Sequence, residues 1–365
     1  MRELAAAHEH PLEVILLERG AHLGGPLETI RRDGFVIETG ADSFLSEKPW
    51  AADLARRLGI DADLIPTRDV YRKTFVVRAG RLVEIPAGFS LLAPTHLRPI
   101  FKSPLFSIAG KLRIAIEPFI PARASDADES LASFVTRRLG REVLDRVAQP
   151  LAGGIYTADA ERLSIAATMP RFVEMERRYG SVVKGLRAAE QTRKSAEISG
   201  ARWSLFQSFK NGTATLPEML VARLGGSIRK AAEVVALSRN GQRWQLAITG
   251  GDSIDADAII CAAPAFAASR MLSTLAPRAA ELLRGISYAS AATVNLTFRE
   301  SDFARPIETF GFVVPACEHR RIIAGSFSSF KFEGRAPSGA ILARAFVGGV
   351  MQRAMMSLTN DEIVS

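Results

Sequence analysis

The order of hydrophobic and polar positions divides the chain into two strand-rich parts with a helical part between them. Residues 12–20, LEVILLERG, form an apolar run that ends at Glu18, which predicts a buried parallel strand. The preceding segment, MRELAAAHEH, is rich in helix-forming residues and stops at Pro11, so we expect the end of a helix there. Alternating residues on either side of Asp33-Gly34 and within residues 70–86 predict two hairpins.

The pattern is helical over residues 87–202, where apolar side chains recur at i, i+3, i+4 and i+8 from Leu131. Strand patterns return afterwards. Residues 232–264 predict three strands with Cys261 in the core, and residues 287–348 are mostly strand. The chain is therefore expected to be an α/β protein with a helical insertion and a mixed sheet.

A helix followed by an apolar strand that ends in an acid is typical of the second half of a βαβ dinucleotide-binding unit. In such a unit the acid accepts hydrogen bonds from ribose hydroxyls, roughly 20 residues after a GxGxxG motif. Counting back from Glu18 puts that motif before Met1, so we expect the chain to begin inside the first helix. The alternative is that Glu18 only ends an ordinary strand. Small residues at Gly24, Gly25 and Gly40 favour the cofactor interpretation, because they let backbone amides approach a pyrophosphate or a flavin ring.

Composition narrows the functional classes. The chain has 365 residues, enough for two or three units. Its two cysteines and five histidines exclude a disulfide framework and argue against a metal site. No spanning run or signal peptide is evident, so we expect a cytoplasmic protein. A net charge of +8 suits an acidic substrate, an anionic cofactor or a lipid surface. Nucleic acid is not expected as a partner, because aromatic residues make up only 7% and are not interleaved with basic runs.

One group of apolar residues in the helical part has two interpretations. Phe101, Phe106, Ile108, Leu112 and Ile116 lie among lysines and arginines. They form either a patch that docks on a membrane surface or the core of the helical part.

Several segments together carry a family resemblance. ERGAHLGGPLETIRRDGFVIETGADSFLSEKP resembles the N-terminal region of protoporphyrinogen oxidases, the flavin enzymes of haem synthesis within the amine-oxidase-like superfamily. Three later segments are similar to further parts of that family: AQPLAGGIYTADAERLSIAATMPRF, SFKNGTATLPEMLVARLG and FGFVVPACEHRRIIAGSFSSFKFEGRAPSG. Their order and spacing fit, so the resemblance covers nearly the whole chain.

The resemblance implies FAD as the cofactor and assigns residues to it. Glu18 matches the acid that binds the ribose, and Gly24 and Gly25 match glycines on the flavin side. Val234 matches the residue whose backbone contacts the adenine end. The segment matched to the one beside the isoalloxazine ring is Gly40, Ala41, Asp42 and Ser43, with Ala41 in place of the family's proline.

The resemblance also implies the reaction, which removes six electrons from a porphyrinogen in three flavin-dependent steps with oxygen as acceptor. The flavin carries the chemistry, so no catalytic triad is expected and no catalytic side chain is assigned. Arg72, Lys73 and Arg171 are candidate partners for the substrate propionates; the alternative is solvated surface cations. Gly154 and Tyr156 are candidate cavity residues; the alternative is a tight turn and a packed tyrosine.

These inferences combine into a discontinuous FAD-binding Rossmann-like part over residues 1–86 and 205–272, which is expected to lack its first strand and glycine loop, while the C-terminal truncation falls in residues 273–365. A helical part for substrate and membrane contact spans 87–204, and a mixed-sheet substrate part spans 273–365. The expected reaction is oxidation of protoporphyrinogen IX to protoporphyrin IX by oxygen, with peripheral membrane contact. The alternatives are oxidation of coproporphyrinogen III to coproporphyrin III, an amine oxidase or carotenoid desaturase relative, and a fragment without activity. The last follows because the glycine motif and the C-terminal flavin segment are missing from the sequence.

Overall fold

The structure is a computed structural model that describes residues 3, 5, 9, 11–196 and 206–365. The helix predicted over residues 1–10 therefore lies largely outside the described residues. The strands are β1 (Leu16–Leu17), β2 (Thr29–Arg32), β3 (Phe35–Glu38), β4 (Phe44–Leu45), β5 (Leu64–Pro66), β6 (Thr74–Arg78), β7 (Arg81–Glu84), β8 (Phe89–Ser90), β9 (Ala93–Pro94), β10 (Phe206–Phe209), β11 (Ile228–Arg229), β12 (Val234–Asn240), β13 (Arg243–Ile248), β14 (Ser253–Ala256), β15 (Ala291–Arg299), β16 (Gly311–Val313), β17 (Ile322–Phe327) and β18 (Ala340–Gly348).

The α-helices are Pro49–Leu58, Leu97–Lys102, Ile108–Ala115, Leu131–Leu139, Arg141–Val143, Gln149–Tyr156, Ile165–Thr168, Pro170–Tyr179, Val182–Ala196, Thr215–Leu224, Ala265–Leu272, Pro277–Arg284, Ser328–Lys331 and Asn360–Val364. A π-helical turn spans Leu144–Ala148. The 3₁₀ helices are Asp61–Asp63, Asp69–Tyr71, Glu117–Phe119, Gly225–Ser227, Glu300–Asp302, Ala316–Glu318 and Val350–Ser357.

A six-stranded mixed sheet is the largest sheet of the described residues, with strand order β15-β18-β17-β16-β6-β7. The hairpin β6-β7 is the one predicted within residues 70–86, and it joins the later strands through a parallel pair, β6 with β16. Residues paired across neighbouring strands point to the same face of a sheet. Asn295, Arg344 and Ser326 are such partners across β15, β18 and β17, so their side chains form a row on one face.

The helices between residues 97 and 196 pack around one hydrophobic core that extends onto the same sheet face. Val313 and Ala324 of the sheet belong to that core together with helical residues such as Phe134 and Phe172. The helix Gln149–Tyr156 packs on the sheet at Gly154, where an added Cβ would lie at an ordinary contact distance of 3.9 Å from both Val313 and Ala324.

A buried ion pair anchors the helical region. Glu117 and Arg138 are fully buried, and the guanidinium of Arg138 binds the Glu117 carboxylate through its Nε at 2.8 Å and through a second nitrogen. The same carboxylate accepts hydrogen bonds from Ser181 Oγ and from the amides of Val182 and Val183. It thereby caps the N-terminus of the helix Val182–Ala196.

Two sequence predictions, the strand over residues 12–20 and the burial of Cys261, are wrong in detail. The strand expected over residues 12–20 is confined to Leu16–Leu17, and Leu12 and Leu16 are exposed rather than buried. Cys261 is exposed and lies outside any strand. Among the described residues β1 pairs only with β11, so neither apolar run has a wide sheet in which to be buried. The three antiparallel strands β12, β13 and β14 are confirmed.

Candidate functional site

The loop after β1 begins the candidate site. The amide of Glu18 donates to Arg229 O of β11 at 2.9 Å, and Glu18 Oε1 accepts from the amide of Gly20 at 2.6 Å. Ala232, two residues before Val234, donates its amide to Glu18 O at 2.9 Å. The structure thus brings the predicted ribose acid and the predicted adenine contact to one place.

Two glycines hold the following loops close together. Gly24 has a φ of +102° and its missing Cβ would lie 3.0 Å from Pro217, so the position requires glycine on both counts. A Cβ on Gly40 would lie 2.0 Å from Pro26 O. Gly40 therefore lies backbone to backbone against Pro26, in the loop that contains Gly24 and Gly25.

Five consecutive carbonyl groups, residues 38–42, are each held by a side chain from another part of the fold. The pairs, given as donor and accepting carbonyl, are Asn295 Nδ2 and Glu38 at 3.4 Å, Thr293 Oγ1 and Thr39 at 3.1 Å, Arg344 Nη2 and Gly40 at 2.6 Å, Thr213 Oγ1 and Ala41 at 3.0 Å, and Ser208 Oγ and Asp42 at 2.7 Å. These side chains come from β15, β18, β10 and the turn before the helix Thr215–Leu224. All five carbonyls are thus fixed towards the protein.

The amides of the same segment have the opposite character. Within the described part of the chain, none of the amides of Gly40, Ala41, Asp42 and Ser43 donates a hydrogen bond to a protein acceptor. Successive free N–H groups on a fixed backbone are a binding surface for an anion or for the acceptor atoms of a heterocycle. We name this set of four amides the donor row.

A charged cluster lies directly behind the donor row. Lys331 Nζ donates to the two Asp42 carboxylate oxygens at 2.9 and 3.0 Å and to Ser43 Oγ at 3.0 Å. Arg344 Nη1 lies 3.6 Å from the same carboxylate. Burial raises the pKa of Asp42, but Lys331 and Arg344 together outweigh it and lower the pKa from 3.8 to about 2. The resulting stabilisation is complete above pH 3.8 and is lost as the pH falls through about 2.

A second buried pair continues the cluster. Glu38 accepts hydrogen bonds from Thr29 Oγ1, Thr213 Oγ1 and the amide of Thr213, and lies 3.8 Å from Arg335 Nη2. Arg335 also donates to Ser208 Oγ at 2.8 Å. Burial lowers the pKa of Arg335, and Glu38 opposes this shift. The guanidinium therefore stays charged at any working pH.

The sheet row next to the cluster holds polar atoms that lack partners. Asn295 Oδ1, Arg344 Nε and Ser326 Oγ are buried, and none has a hydrogen-bond partner in the described structure. Buried polar atoms are nearly always satisfied in native proteins. The unsatisfied row therefore indicates that water or a ligand reaches this face of the sheet.

The predicted substrate cations have different surroundings. Lys73 precedes β6 and lies 3.9 Å from Glu308, Arg72 is exposed, and Arg171 stacks on the ring of Phe172. Tyr156 donates its hydroxyl to Thr168 O at 3.4 Å.

Two cavities in the helical region, of about 60 and about 250 Å³, are lined by none of the predicted cofactor or substrate residues. The first adjoins Arg123 and Glu176, and the second adjoins Ser107 and Glu142. In the ranges that the structure describes, no group of His, Cys, Asp and Glu side chains could hold a metal ion.

Sequence reasoning missed Lys331, Arg344 and Arg335 as parts of the site. The signal that could have found Arg344 is its position in ILARAFVG, where one arginine interrupts an apolar strand. A charged side chain in a buried strand needs a partner, and here the partner is Asp42.

A sequence profile of the flavin-containing amine oxidoreductases matches residues 2–365. The chain belongs to this family. Family membership confirms the predicted flavin cofactor, FAD, and the α/β architecture. This flavin oxidoreductase is 32% identical to a coproporphyrinogen III oxidase of Bacillus subtilis, over 97% of this chain and 75% of that one. It is 28% identical to protoporphyrinogen oxidase 1 of Arabidopsis thaliana, over 99% of this chain and 69% of that one.

A solved structure with a closely similar fold is that of a proposed protoporphyrinogen oxidase from Exiguobacterium sp. 255-15. Its TM-score is 0.86 with 28% sequence identity, and the match covers 99% of this chain and 76% of that one. The likeness extends over nearly the full chain, so it includes both the mixed sheet and the helical region of this flavin oxidoreductase.

The residues of this flavin oxidoreductase fit the family's cofactor. The donor row offers four unused amides, Glu18 has a carboxylate whose one hydrogen bond among described residues comes from Gly20 N, and Gly24 and Gly40 leave no room for a side chain. A flavin ring supplies acceptor atoms and a dinucleotide supplies ribose hydroxyls, which match these two sets of groups.

Proposed function

We propose that this protein oxidises a porphyrinogen to the porphyrin with bound FAD, and that coproporphyrinogen III is its substrate. The observation that carries the proposal is the donor row, a fixed set of free amides at the position expected beside a flavin ring. The choice of substrate is supported by the similarity to the coproporphyrinogen III oxidases of Bacillus subtilis and Staphylococcus aureus, at 32% and 28% identity over 97% of this chain.

The overall reaction balances with oxygen as the acceptor. The chemistry that FAD supplies when bound is two-electron transfer from substrate to oxygen. Loss of six electrons and six protons from the porphyrinogen thus reduces three molecules of oxygen to three of hydrogen peroxide. The protein must bind the tetrapyrrole and hold it in a fixed orientation relative to the donor row.

The net charge of the chain and its exposed cations suit a substrate with several carboxylates. Arg72 and Arg171 form no ion pair within the described residues, and the approach of Lys73 to Glu308 is long, at 3.9 Å. We propose that these cations pair with substrate propionates, because charge-assisted hydrogen bonds to carboxylates give both affinity and orientation. Gly154 and Tyr156 are proposed to line the substrate side of the sheet.

Protoporphyrinogen IX, the substrate expected from the sequence resemblance, is the second candidate. It is favoured by the structural likeness to the Exiguobacterium protein. Coproporphyrinogen III carries more propionates, so a preference for it indicates that cations recognise the substrate. We expect kcat/KM for coproporphyrinogen III to exceed that for protoporphyrinogen IX at least tenfold, about 1.4 kcal/mol. Porphyrin fluorescence and oxygen uptake measured with both substrates check this, and the opposite preference would establish the second candidate.

The apolar group in the helical region is divided by the structure. Phe106 is buried in the core, whereas Phe119 is 84% and Ile108 is 79% exposed. The other four members of the group, Phe101, Ile108, Leu112 and Ile116, are exposed, and Phe119, which the sequence analysis did not single out, joins them as a fifth exposed residue. We name them the apolar patch. No helix in the described ranges is both long enough and apolar enough to cross a bilayer. We propose that the apolar patch, which lies among Lys102, Lys111 and Arg113 in the sequence, docks on a membrane surface.

Replacing Ile108 and Phe119 with serine is expected to reduce binding to vesicles of phosphatidylglycerol roughly tenfold, because the variant loses apolar area that the bilayer would cover. Co-sedimentation with the vesicles measures this. The matched control is Leu282→Ser, at an exposed leucine of the helix Pro277–Arg284, which should bind as the parent does. Equal binding of the double variant and the control would rule the apolar patch out.

A further inference from the structure

The charge cluster behind the donor row contains more cations than acids. Lys331, Arg344 and Arg335 face Asp42 and Glu38, which leaves one positive charge in excess. The side chain of Lys331 is 15% exposed, and those of Arg344 and Arg335 are 2% and 1% exposed. An excess charge in a buried cluster is costly unless an electron-rich group compensates it.

Two features place the excess charge at the donor row rather than elsewhere. Arg344 donates to Gly40 O at 2.6 Å, and Lys331 holds both Asp42 and Ser43. Arg344 Nε is buried and has no partner among the described residues. Arg335, by contrast, uses its nitrogens on Ser208 Oγ and on the carbonyls of Phe209 and Lys210.

We propose that Lys331 and Arg344 are positioning residues that fix the donor row against the flavin ring and supply the positive charge that favours the reduced flavin. The proposal rests on the proposed function, since it takes the flavin ring to lie against Gly40–Ser43. A reduced flavin is more electron-rich than an oxidised one. Fixed N–H dipoles and a nearby cation therefore stabilise it more, which raises the reduction potential.

Substitutions can separate the two proposed roles, fixing the donor row and supplying positive charge. Thr293 anchors Thr39 O at 3.1 Å and carries no charge, so Thr293→Val removes one anchor only. Lys331→Met removes the charge, and Lys331→Arg keeps it. Lys184 is an exposed lysine of the helix Val182–Ala196, so Lys184→Met is a control for loss of one lysine from the whole protein.

The test is the two-electron midpoint potential of the FAD-bound protein, together with its affinity for FAD. Lys331→Met is expected to shift the equilibrium at least tenfold towards oxidised flavin, which lowers the potential by about 30 mV. Lys331→Arg and Lys184→Met should keep the parental potential. Thr293→Val should weaken FAD binding several-fold and leave the potential in place.

Each outcome has a distinct meaning. An Lys331→Met protein with the parental potential and affinity overturns this proposal alone. Loss of FAD from Lys331→Met with retention by Lys331→Arg supports it through the affinity. A parent protein that binds FAD and oxidises neither porphyrinogen overturns only the proposed function. A parent that binds no FAD overturns both.

Discussion

Glu117→Ala is expected to destabilise the fold by about 3–5 kcal/mol, the range for breaking a buried ion pair on one side. The carboxylate of Glu117 neutralises Arg138, which is fully buried, and satisfies Ser181 and the first amides of the helix Val182–Ala196. Alanine leaves the buried guanidinium with only its longer ion pair to Glu176, at 3.4 Å, and leaves the helix end uncapped. Chemical denaturation followed by circular dichroism measures the free energy of unfolding.

The control for this prediction is Glu174→Ala, at an exposed glutamate on the neighbouring helix Pro170–Tyr179, which should change the free energy of unfolding by no more than about 0.5 kcal/mol. A double variant, Glu117→Leu with Arg138→Met, removes both charges and should recover part of the loss. It leaves no unpaired buried charge, but the amides of Val182 and Val183 still lack their cap. A Glu117→Ala protein as stable as the Glu174→Ala control would show that the pair does not hold the helical region together.

Gly40→Ala is expected to reduce FAD affinity more than tenfold and to lower the melting temperature. The new Cβ would lie 2.0 Å from Pro26 O and 2.9 Å from Pro26 C. Both are backbone atoms, so the loop of Gly24 and the segment of Gly40 must separate, at an overpacking cost of about 1–3 kcal/mol. That separation displaces the donor row from the side chains that hold the carbonyl groups of the same segment. Fluorescence titration with FAD and a thermal melt measure the two effects.

Gly226→Ala is the matched control, because nothing lies within 4 Å of the Cβ that it adds. It should leave FAD affinity and the melting temperature close to the parental values. If Gly40→Ala bound FAD as tightly as Gly226→Ala does, the packing of Gly40 on Pro26 would have no part in the cofactor site.

Local patterns predicted the elements of the large sheet but not their arrangement. Alternation found the hairpin within residues 70–86 and the strand around Gly311, which are separated by more than 200 residues. Their parallel pairing, Thr74 with Gly311, depends on how the helical region returns the chain to the sheet. The pairing is a property of tertiary packing, which a period-2 pattern does not predict.

For the apolar run that ends at Glu18, the sequence predicts the wrong degree of burial. Its apolar run predicts burial, but Leu12 and Leu16 are exposed, because a strand is buried only when neighbours on both sides complete its sheet. The hydrogen bond from Glu18 N to Arg229 O shows that one such neighbour is in place.

For the candidate site, motif reasoning located backbone groups and missed the side chains behind them. Gly24 and Gly40 were accessible to sequence analysis because glycine marks close backbone approach. Lys331 and Arg344 lie about 300 residues from Asp42 along the chain, and their joint contact with its carboxylate follows only from the fold.

Anaerobic mixing of the FAD-bound protein with coproporphyrinogen III tests the central claim most directly, because it observes electron transfer from substrate to cofactor in this protein without a later step. We expect that the visible absorption of the flavin is bleached, that coproporphyrin fluorescence appears, and that admitting oxygen restores the absorption. A flavin that dithionite bleaches and that neither coproporphyrinogen III nor protoporphyrinogen IX bleaches would contradict it.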